Sequence, residues 1–254
     1  MAYKHPDPAE KAGYVQSKFD EIAADYDRFN DLITQGQHRW WKRVMVRRLA
    51  IRPEAAGLDL CCGTGDIAQR MRPLLNDKGL LVAADFSQNM LRIARKRLGT
   101  PEPTGAPSSK GKNQNPPVWL IGGDAMRLPF QNESFDFLTI GYGLRNVSDL
   151  DVCLAELLRV LKPGGVLASL DVGKVRNPVI RPFAEFYLFR IVPLIGRLLQ
   201  PGQDMFTYLP NSTLDYPPQD ILRGQLESAG FADVELIEFM FGASVIHLAH
   251  KPAR

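Results

Sequence analysis

The chain has 254 residues, of which 45% are hydrophobic and 23% are charged, so it has the composition of an ordinary globular protein that can bury a sizeable core. Its 31 basic and 28 acidic residues leave a net charge of +3, which argues against a nucleic-acid partner, because such proteins carry a concentrated basic surface. An amino terminus without a secretory signal, and three cysteines without disulfide or zinc-ligand spacing, predict a cytoplasmic protein with reduced thiols and no metal site.

Short apolar runs alternate with amphipathic stretches from Gly57 onward. Runs of strand length separated by helical periods predict βαβ units and a parallel sheet covered on both faces. We expect about five strands before Val172 and an α/β fold with a Rossmann-like, doubly wound sheet. The runs are, in order, GLDLCC, DIAQRMRPLL, GLLVAAD, SQNMLRIARKRL, VWLIGGD, SFDFLTIGYG, LDVCLAELLRVL and GGVLASLDV.

Two further segments depart from this alternation. Residues 99–117 are rich in Pro, Gly, Ser and Asn and predict a flexible surface insertion, with a linker between domains as the alternative. The apolar tract that begins at Arg181 is interrupted by charged residues and a proline, which argues against a spanning helix. It predicts a core-covering helix pair, a substrate lid over residues 178–210, or an element at a membrane surface.

The remaining tail contains a helical stretch, QDILRGQLESAG, and two strand-like runs, DVELIEF and ASVIHLAH. The two runs predict an antiparallel hairpin at the sheet edge, which brings the expected sheet to seven strands, mostly parallel.

The turn after the first predicted strand has the features of a nucleoside site. Gly63 and Gly65 let the backbone turn tightly and approach a ligand closely. Asp85 ends the second strand, where it can accept hydrogen bonds from both ribose hydroxyls, and Asp124 ends the third. A dinucleotide motif would need a third glycine, and Asp66 would repel a pyrophosphate. A cationic cofactor without phosphate, S-adenosylmethionine, fits better, although each acid could instead cap the following helix.

Longer motifs resemble those of the ubiquinone/menaquinone C-methyltransferase family (UbiE/MenG). The resemblance covers most of the chain from Phe19 to Lys251, and GLRNV after the fourth strand is its most specific core motif. It implies a class I methyltransferase domain over residues 51–254, preceded by a helical cover over residues 1–50. The motifs are LDLCCGTGD, ADFSQNML, GDAMRLPF, SFDFLTIGYGLRNV and ELLRVLKPGG, with FDEIAADYDRFNDLITQGQHRWWKR upstream and FTYLPNST downstream.

The same resemblance implies site residues. The cofactor S-adenosyl-L-methionine would be bound by Asp59, Gly63, Thr64, Gly65, Asp85, Asp124, Ala125 and Gly141. The substrate would be bound by Tyr26, Asn30, His38, Trp41 and Tyr142. Two positions depart from the family pattern: Gly141 stands where Ser or Ala is common, and Cys61 stands where many methyltransferases have glycine.

The implied reaction is C-methylation of a prenylated quinol, and we expect conversion of demethylmenaquinol to menaquinol. Removing a proton from the ring hydroxyl makes the neighbouring carbon nucleophilic. Arg145 and Asn146 follow the fourth strand, so we expect Arg145 to stabilise the phenolate and Asn146 to bind it. His38 is an alternative base, and Arg145 could instead pair structurally with a carboxylate.

Other functions stay open at this point. They are the benzoquinol step of ubiquinone biosynthesis, methylation of another small hydrophobic acceptor, a non-catalytic cofactor-binding subunit and, with least support, a nicotinamide-dependent dehydrogenase. A prenyl tail predicts peripheral contact with the inner face of a membrane. The sequence does not encode the oligomeric state in any readable motif, and a homodimer is one option.

Overall fold

The structure is a computed structural model that describes residues 8–100, 116–199 and 205–253. Its central sheet has the order β3-β2-β1-β4-β5-β7-β6. The strands are β1 (Ala56–Leu60), β2 (Leu80–Asp85), β3 (Val118–Gly122), β4 (Phe135–Gly141), β5 (Leu161–Val172), β6 (Ala232–Phe239) and β7 (Ser244–His250). Strands β1 to β5 pair in parallel, whereas β7 is antiparallel to both β5 and β6. The predicted seven-stranded sheet with a hairpin at its edge is therefore confirmed.

Ten α-helices are present in the described residues. Three precede the sheet, three follow β1, β2 and β4, three come from the apolar tract and the segment after it, and one precedes β6. They are α1 (Pro8–Ile22), α2 (Tyr26–Thr34), α3 (Gln37–Arg48), α4 (Asp66–Met71), α5 (Gln88–Leu98), α6 (Leu150–Val160), α7 (Arg181–Phe186), α8 (Val192–Leu199), α9 (Met205–Asp215) and α10 (Gln219–Ser228), with a π-helical turn at Tyr187–Ile191 between α7 and α8.

The sheet separates two hydrophobic cores. In β2, Leu81 and Ala83 join one core, and Val82 and Ala84 join the other. This alternation follows from the two-residue period of a strand, and burial on both faces explains why the strand sequence is almost continuously apolar. Because the parallel strands all end at the same edge, the loops after β1 to β4 meet there.

A third hydrophobic cluster attaches the apolar tract to the amino-terminal helices. Val192 of α8 and Tyr208 of α9 pack with buried residues of α1 and α2, including Phe19 and Phe29. The amino-terminal helices thus pack over the edge where the strands end. Residues 101–115 of the predicted insertion and 200–204 of the predicted lid lie outside the described residues. No helix in the described ranges is long and apolar enough to cross a bilayer.

Candidate active site

Two adjoining cavities lie at the carboxyl ends of β1 to β4. One has a volume of about 230 Å³ and the other about 30 Å³. The larger lies just below the range for small-molecule sites, roughly 300–1,000 Å³. Both are lined by Cys61, Asp85, Phe86, Gly143 and Asn146, so they form one cleft with two chambers. The cleft stands where ligands bind in open α/β sheets.

The turn between β1 and α4 forms one wall of the cleft. Cys61, Gly63 and Gly65 have φ angles of 52°, 54° and 79°, all in the left-handed region. Gly63 lines the smaller chamber. A Cβ on Gly65 would lie 3.2 Å from the Cβ of Ala94, so the absence of a side chain there brings the turn close to α5. The backbone angles therefore favour glycine at both positions, and close packing adds to this at Gly65.

Asp85 is the best-placed acidic group of the cleft. Its Oδ2 accepts a hydrogen bond from the Gly63 amide at 2.8 Å, and its Oδ1 accepts one from the Ser87 amide at 2.9 Å. Burial raises the pKa of Asp85 to about 6, against the lowering effect of these backbone hydrogen bonds. Each carboxylate oxygen has a second lone pair, so two ligand hydroxyls could still bind it.

Asp59 and Thr64 support the turn from behind and do not line either chamber. Asp59 is buried, and it accepts hydrogen bonds from Thr139 Oγ1 at 2.7 Å and from the Ala68 amide at 3.0 Å. Burial raises the pKa of Asp59 to about 7. The Thr64 hydroxyl donates to Asp27 at 2.8 Å and accepts from Arg97 at 2.7 Å. Both side chains thus fix the position of the turn relative to its neighbours.

The described residues that line the two chambers include the carboxylates Asp85 and Asp124 and no Lys, Arg or His. Asp124 accepts a hydrogen bond from the Met126 amide at 2.9 Å. Asp66, by contrast, pairs with Lys42 and Arg70 at 3.0 Å each and lies outside the cavity lining. The acidic character expected of the cleft therefore comes from the strand ends and not from Asp66.

The GLRNV motif follows β4 and lies directly beside the glycine turn, since a Cβ on Gly143 would lie 2.7 Å from Cys61 Cβ. Tyr142 and Asn146 line the cleft, while Arg145 lies just behind, its guanidinium 5.3 Å from the centre of the Tyr142 ring. Arg145 is 8% exposed and donates from Nη1 to Asp171 Oδ1 at 2.5 Å. Burial opposes the charge on Arg145, but the negative charge of Asp171 outweighs it, and the pKa of Arg145 is raised. The structural ion pair that we considered for Arg145 is therefore present.

The remaining predicted substrate residues divide into two groups. Tyr26 lines the smaller chamber, and burial raises its pKa, whereas the charge of Arg145 and a hydrogen bond with Asn30 lower it. His38 and Trp41 lie elsewhere: His38 Nε2 is 2.9 Å from Asp31 Oδ1, and Trp41 stacks on Phe239 with a centroid distance of 5.7 Å. Burial and the nearby charge of Lys42 lower the pKa of His38, which favours its neutral form.

Helix α1 covers the larger chamber. Ala12, Gly13 and Gln16 line it from above. The Gln16 amide donates to the Phe86 carbonyl at 2.8 Å, and Lys11 Nζ donates to the Val147 carbonyl at 2.7 Å. These bonds join α1 to the loops after β2 and β4. A helical cover was implied for this part of the chain, and α1 and α2 occupy that place.

The family of the protein follows from comparison with known proteins. Residues 8–251 match the ubiE/COQ5 methyltransferase family. The chain belongs to this family. It is therefore a methyltransferase, and the resemblance read from its motifs is confirmed.

Named relatives within and around this family agree with that assignment. A demethylmenaquinone methyltransferase of Leptospira interrogans is 45% identical over 259 residues, covering 99% of this chain and 98% of its own. A ubiquinone/menaquinone biosynthesis C-methyltransferase UbiE of Shewanella sediminis is 36% identical, covering 99% and 96%. A SAM-dependent methyltransferase of Thermotoga maritima shares the fold, with a TM-score of 0.62 at 20% identity over 92% of this chain and 98% of its own.

The structure brings together eight of the residues predicted from the sequence. The cleft is lined by Tyr26, Gly63, Asp85, Asp124, Ala125, Gly141, Tyr142 and Asn146. It leaves seven outside the lining, namely Asn30, His38, Trp41, Asp59, Thr64, Gly65 and Arg145. At Gly141, a Cβ would lie 2.5 Å from Ile67 Cδ1, so Ser or Ala at this position would require the end of the Ile67 side chain to move.

Proposed function

We propose that this UbiE/COQ5-family protein transfers a methyl group from S-adenosylmethionine to a ring carbon of a prenylated quinol, converting demethylmenaquinol to menaquinol. The observation that carries the choice of acceptor is the 45% identity to the demethylmenaquinone methyltransferase of Leptospira interrogans, which extends over nearly the whole of both chains. The benzoquinol step of ubiquinone biosynthesis is the second candidate, supported by the 36% identity to the Shewanella UbiE protein.

The residues of the cleft fit S-adenosylmethionine. Asp85 offers two carboxylate oxygens for the ribose hydroxyls, and Gly63 lets the backbone approach without a Cβ. Asp124 and Ala125 follow β3, where they can meet the adenine. The acidic lining suits a ligand that carries positive charge and no phosphate. Thr64, Gly65 and Asp59 would act indirectly, by fixing the turn that carries Gly63.

Chemistry on the acceptor would depend on Arg145, Asn146, Tyr26 and Tyr142. When bound, S-adenosylmethionine supplies a methyl group that is activated by the positive charge on its own sulfur. Asn146 can donate from Nδ2 to the ring oxygen of the acceptor, and the charge of Arg145, held behind Tyr142 by Asp171, favours the phenolate form. Arg145 is too basic to remove the proton itself, so we assign proton removal to water.

The prenyl tail of such an acceptor would be supplied from a membrane, and the apolar tract has a surface suited to one. Val179, Phe183, Phe186, Leu194 and Leu198 are each more than half exposed. From Phe183 they recur at helical spacing, interleaved with the exposed Arg190 and Arg197. Apolar side chains interleaved with arginines favour contact with an anionic lipid surface. We assign the protein a peripheral position on such a surface.

The test of the proposed function is methyl transfer by the purified chain. We expect it to methylate a short-tailed demethylmenaquinol, detected by mass spectrometry, with kcat/KM at least about tenfold higher than for a matched prenylated benzoquinol. A tenfold ratio corresponds to about 1.4 kcal/mol of differential transition-state binding. A preference for the benzoquinol would move the protein to ubiquinone biosynthesis, and transfer to neither quinol would refute the proposal.

A further inference from the structure

The side-chain amide of Asn146 is held by hydrogen bonds from two separate parts of the fold. Its Nδ2 donates to the backbone carbonyl of Tyr142 at 3.0 Å, and its Oδ1 accepts from the Tyr208 hydroxyl at 3.0 Å. Because a carbonyl oxygen can only accept, the amide nitrogen must face Tyr142, and the amide oxygen must then face Tyr208. The two bonds together fix one orientation of an amide that lines both chambers of the cleft.

Tyr208 reaches this position from helix α9, which follows the apolar tract. Its side chain is 2% exposed and packs in the third cluster with residues of α1 and with Val192 of α8. Its ring also meets that of Tyr14 edge-on, at a centroid distance of 5.8 Å. Burial raises the pKa of the Tyr208 hydroxyl to about 12, so it keeps its proton and remains a donor near neutral pH.

We propose that Tyr208 is a positioning residue for methyl transfer, which holds the Asn146 amide so that Nδ2 can bond the acceptor oxygen. An amide nitrogen has two N–H groups, of which Tyr142 takes one, and the fixed orientation presents the other for a ligand. Turnover then depends on the docking of α9 onto the cleft, although Tyr208 does not line either chamber. The inference rests on the proposed function for the step in which Asn146 contacts the acceptor.

Tyr187 provides a matched control in the apolar tract that precedes α9. It lies in the π-helical turn, and its hydroxyl donates to the Ile33 carbonyl at 2.8 Å. Tyr187→Phe and Tyr208→Phe each remove one hydroxyl and keep the ring, and each breaks a hydrogen bond to a distant part of the fold. They differ in that only the Tyr208 bond ends on a residue of the cleft.

Steady-state kinetics with the quinol that the wild type methylates tests the inference. We expect Tyr208→Phe to lower kcat about tenfold, the size of one buried hydrogen bond, while the Kd of S-adenosylmethionine and the Tm stay close to those of Tyr187→Phe. Tyr187→Phe should keep kcat within about twofold of the wild type. In an Asn146→Ala background, adding Tyr208→Phe should cause no further loss. If Tyr208→Phe lowered kcat as much in the Asn146→Ala background as in the wild type, the inference would be overturned. The same loss of kcat in both tyrosine variants would also overturn it.

A second readout separates this inference from the proposed function. If the wild type methylates no quinol, the function fails, but the orientation of Asn146 can still be followed through its side-chain amide signals in NMR. Tyr208→Phe should shift these signals and speed their hydrogen exchange, whereas Tyr187→Phe should not. Signals that are unchanged by Tyr208→Phe would overturn the positioning role whatever the acceptor.

Discussion

Cys61 has a backbone conformation that glycine adopts more easily, in the turn that forms one wall of the cleft. Its φ of 52° is left-handed, which costs a residue with a Cβ roughly 1–2 kcal/mol. The adjacent chain accommodates the side chain because position 143 is glycine: a Cβ there would lie 2.7 Å from Cys61 Cβ and 2.8 Å from its Sγ. Cys61 and Gly143 thus form a complementary pair in which one small residue makes room for the other.

This conformation predicts that glycine at position 61 gives a more stable protein than alanine, which is the reverse of their usual order inside a helix. We expect Cys61→Gly to have a free energy of unfolding about 1 kcal/mol higher than Cys61→Ala, because only alanine keeps the strained Cβ. Cys153, buried within α6, is the control, since there glycine should be about 1 kcal/mol less stable than alanine. Urea denaturation of the four variants measures both differences, and Cys61→Ala unfolding later than Cys61→Gly would contradict the argument.

Several polar side chains of helix α1 form hydrogen bonds that hold the helix across the larger chamber. Besides Lys11 and Gln16, Asp20 accepts a hydrogen bond from the Ser87 hydroxyl at 2.5 Å and one from the Asn89 amide at 3.2 Å. Ser87 also caps α5 by accepting from the Met90 amide at 3.1 Å. Asp20 therefore ties α1 to the amino terminus of the helix that follows Asp85.

Loosening this contact should weaken cofactor binding. We expect Asp20→Ala to raise the Kd of S-adenosylmethionine about tenfold, since the loss of a charge-assisted hydrogen bond costs about 1.5–3 kcal/mol and α1 then covers the chamber less firmly. Glu21→Ala is the control on the same helix, because Glu21 is exposed and pairs only with its neighbour Lys18 among the bonds described. Isothermal calorimetry on both variants measures the effect, and equal Kd values would count against the role given to α1.

The sheet elements were predictable from the sequence because their signals are local. The strand runs, the glycine turn and the acidic strand ends at Asp85 and Asp124 all follow from short patterns. Asp171 lies next to the last residue of β5, so the same rule applied to GGVLASLDV predicts a third acid at this edge of the sheet, where the structure shows it paired with Arg145.

Contacts between distant segments had no such local signal. The Thr64 hydroxyl bonds Asp27 and Arg97, which are 37 and 33 residues away, and Tyr208 reaches Asn146 across 62 residues. These contacts depend on how α2, α5 and α9 pack on the sheet, and no short motif records that packing. The FTYLPNST motif marked Tyr208 as part of the family pattern, but only the structure supplies its partner.

Helices α1 and α2 connect the apolar tract, with its exposed face, to the cleft. Tyr187, Val192 and Ile195 of the tract face the third cluster with α1 and α2, while Phe183, Phe186 and Leu198 remain exposed. A lipid surface in contact with the exposed face would therefore lie against the segment that packs on α1 and α2, the helices that line the cleft. An acceptor with a prenyl tail could then reach the cleft with its tail still in lipid.

Vesicle binding tests this arrangement. We expect the wild type to co-sediment with vesicles that contain phosphatidylglycerol, and Phe183→Ser with Phe186→Ser to weaken binding at least about tenfold, since each buried phenylalanine contributes up to about 1.5–3 kcal/mol. Arg190→Glu with Arg197→Glu should abolish the preference for anionic over neutral lipid, because each arginine near the surface contributes about 1 kcal/mol.

The control is Trp119→Ser with Ile221→Ser, which removes two similarly exposed apolar side chains away from the tract and should leave binding unchanged. Equal binding by both serine pairs would contradict the lipid assignment. If the wild type is a dimer and Phe183→Ser with Phe186→Ser makes it a monomer, this face instead joins two copies of the chain.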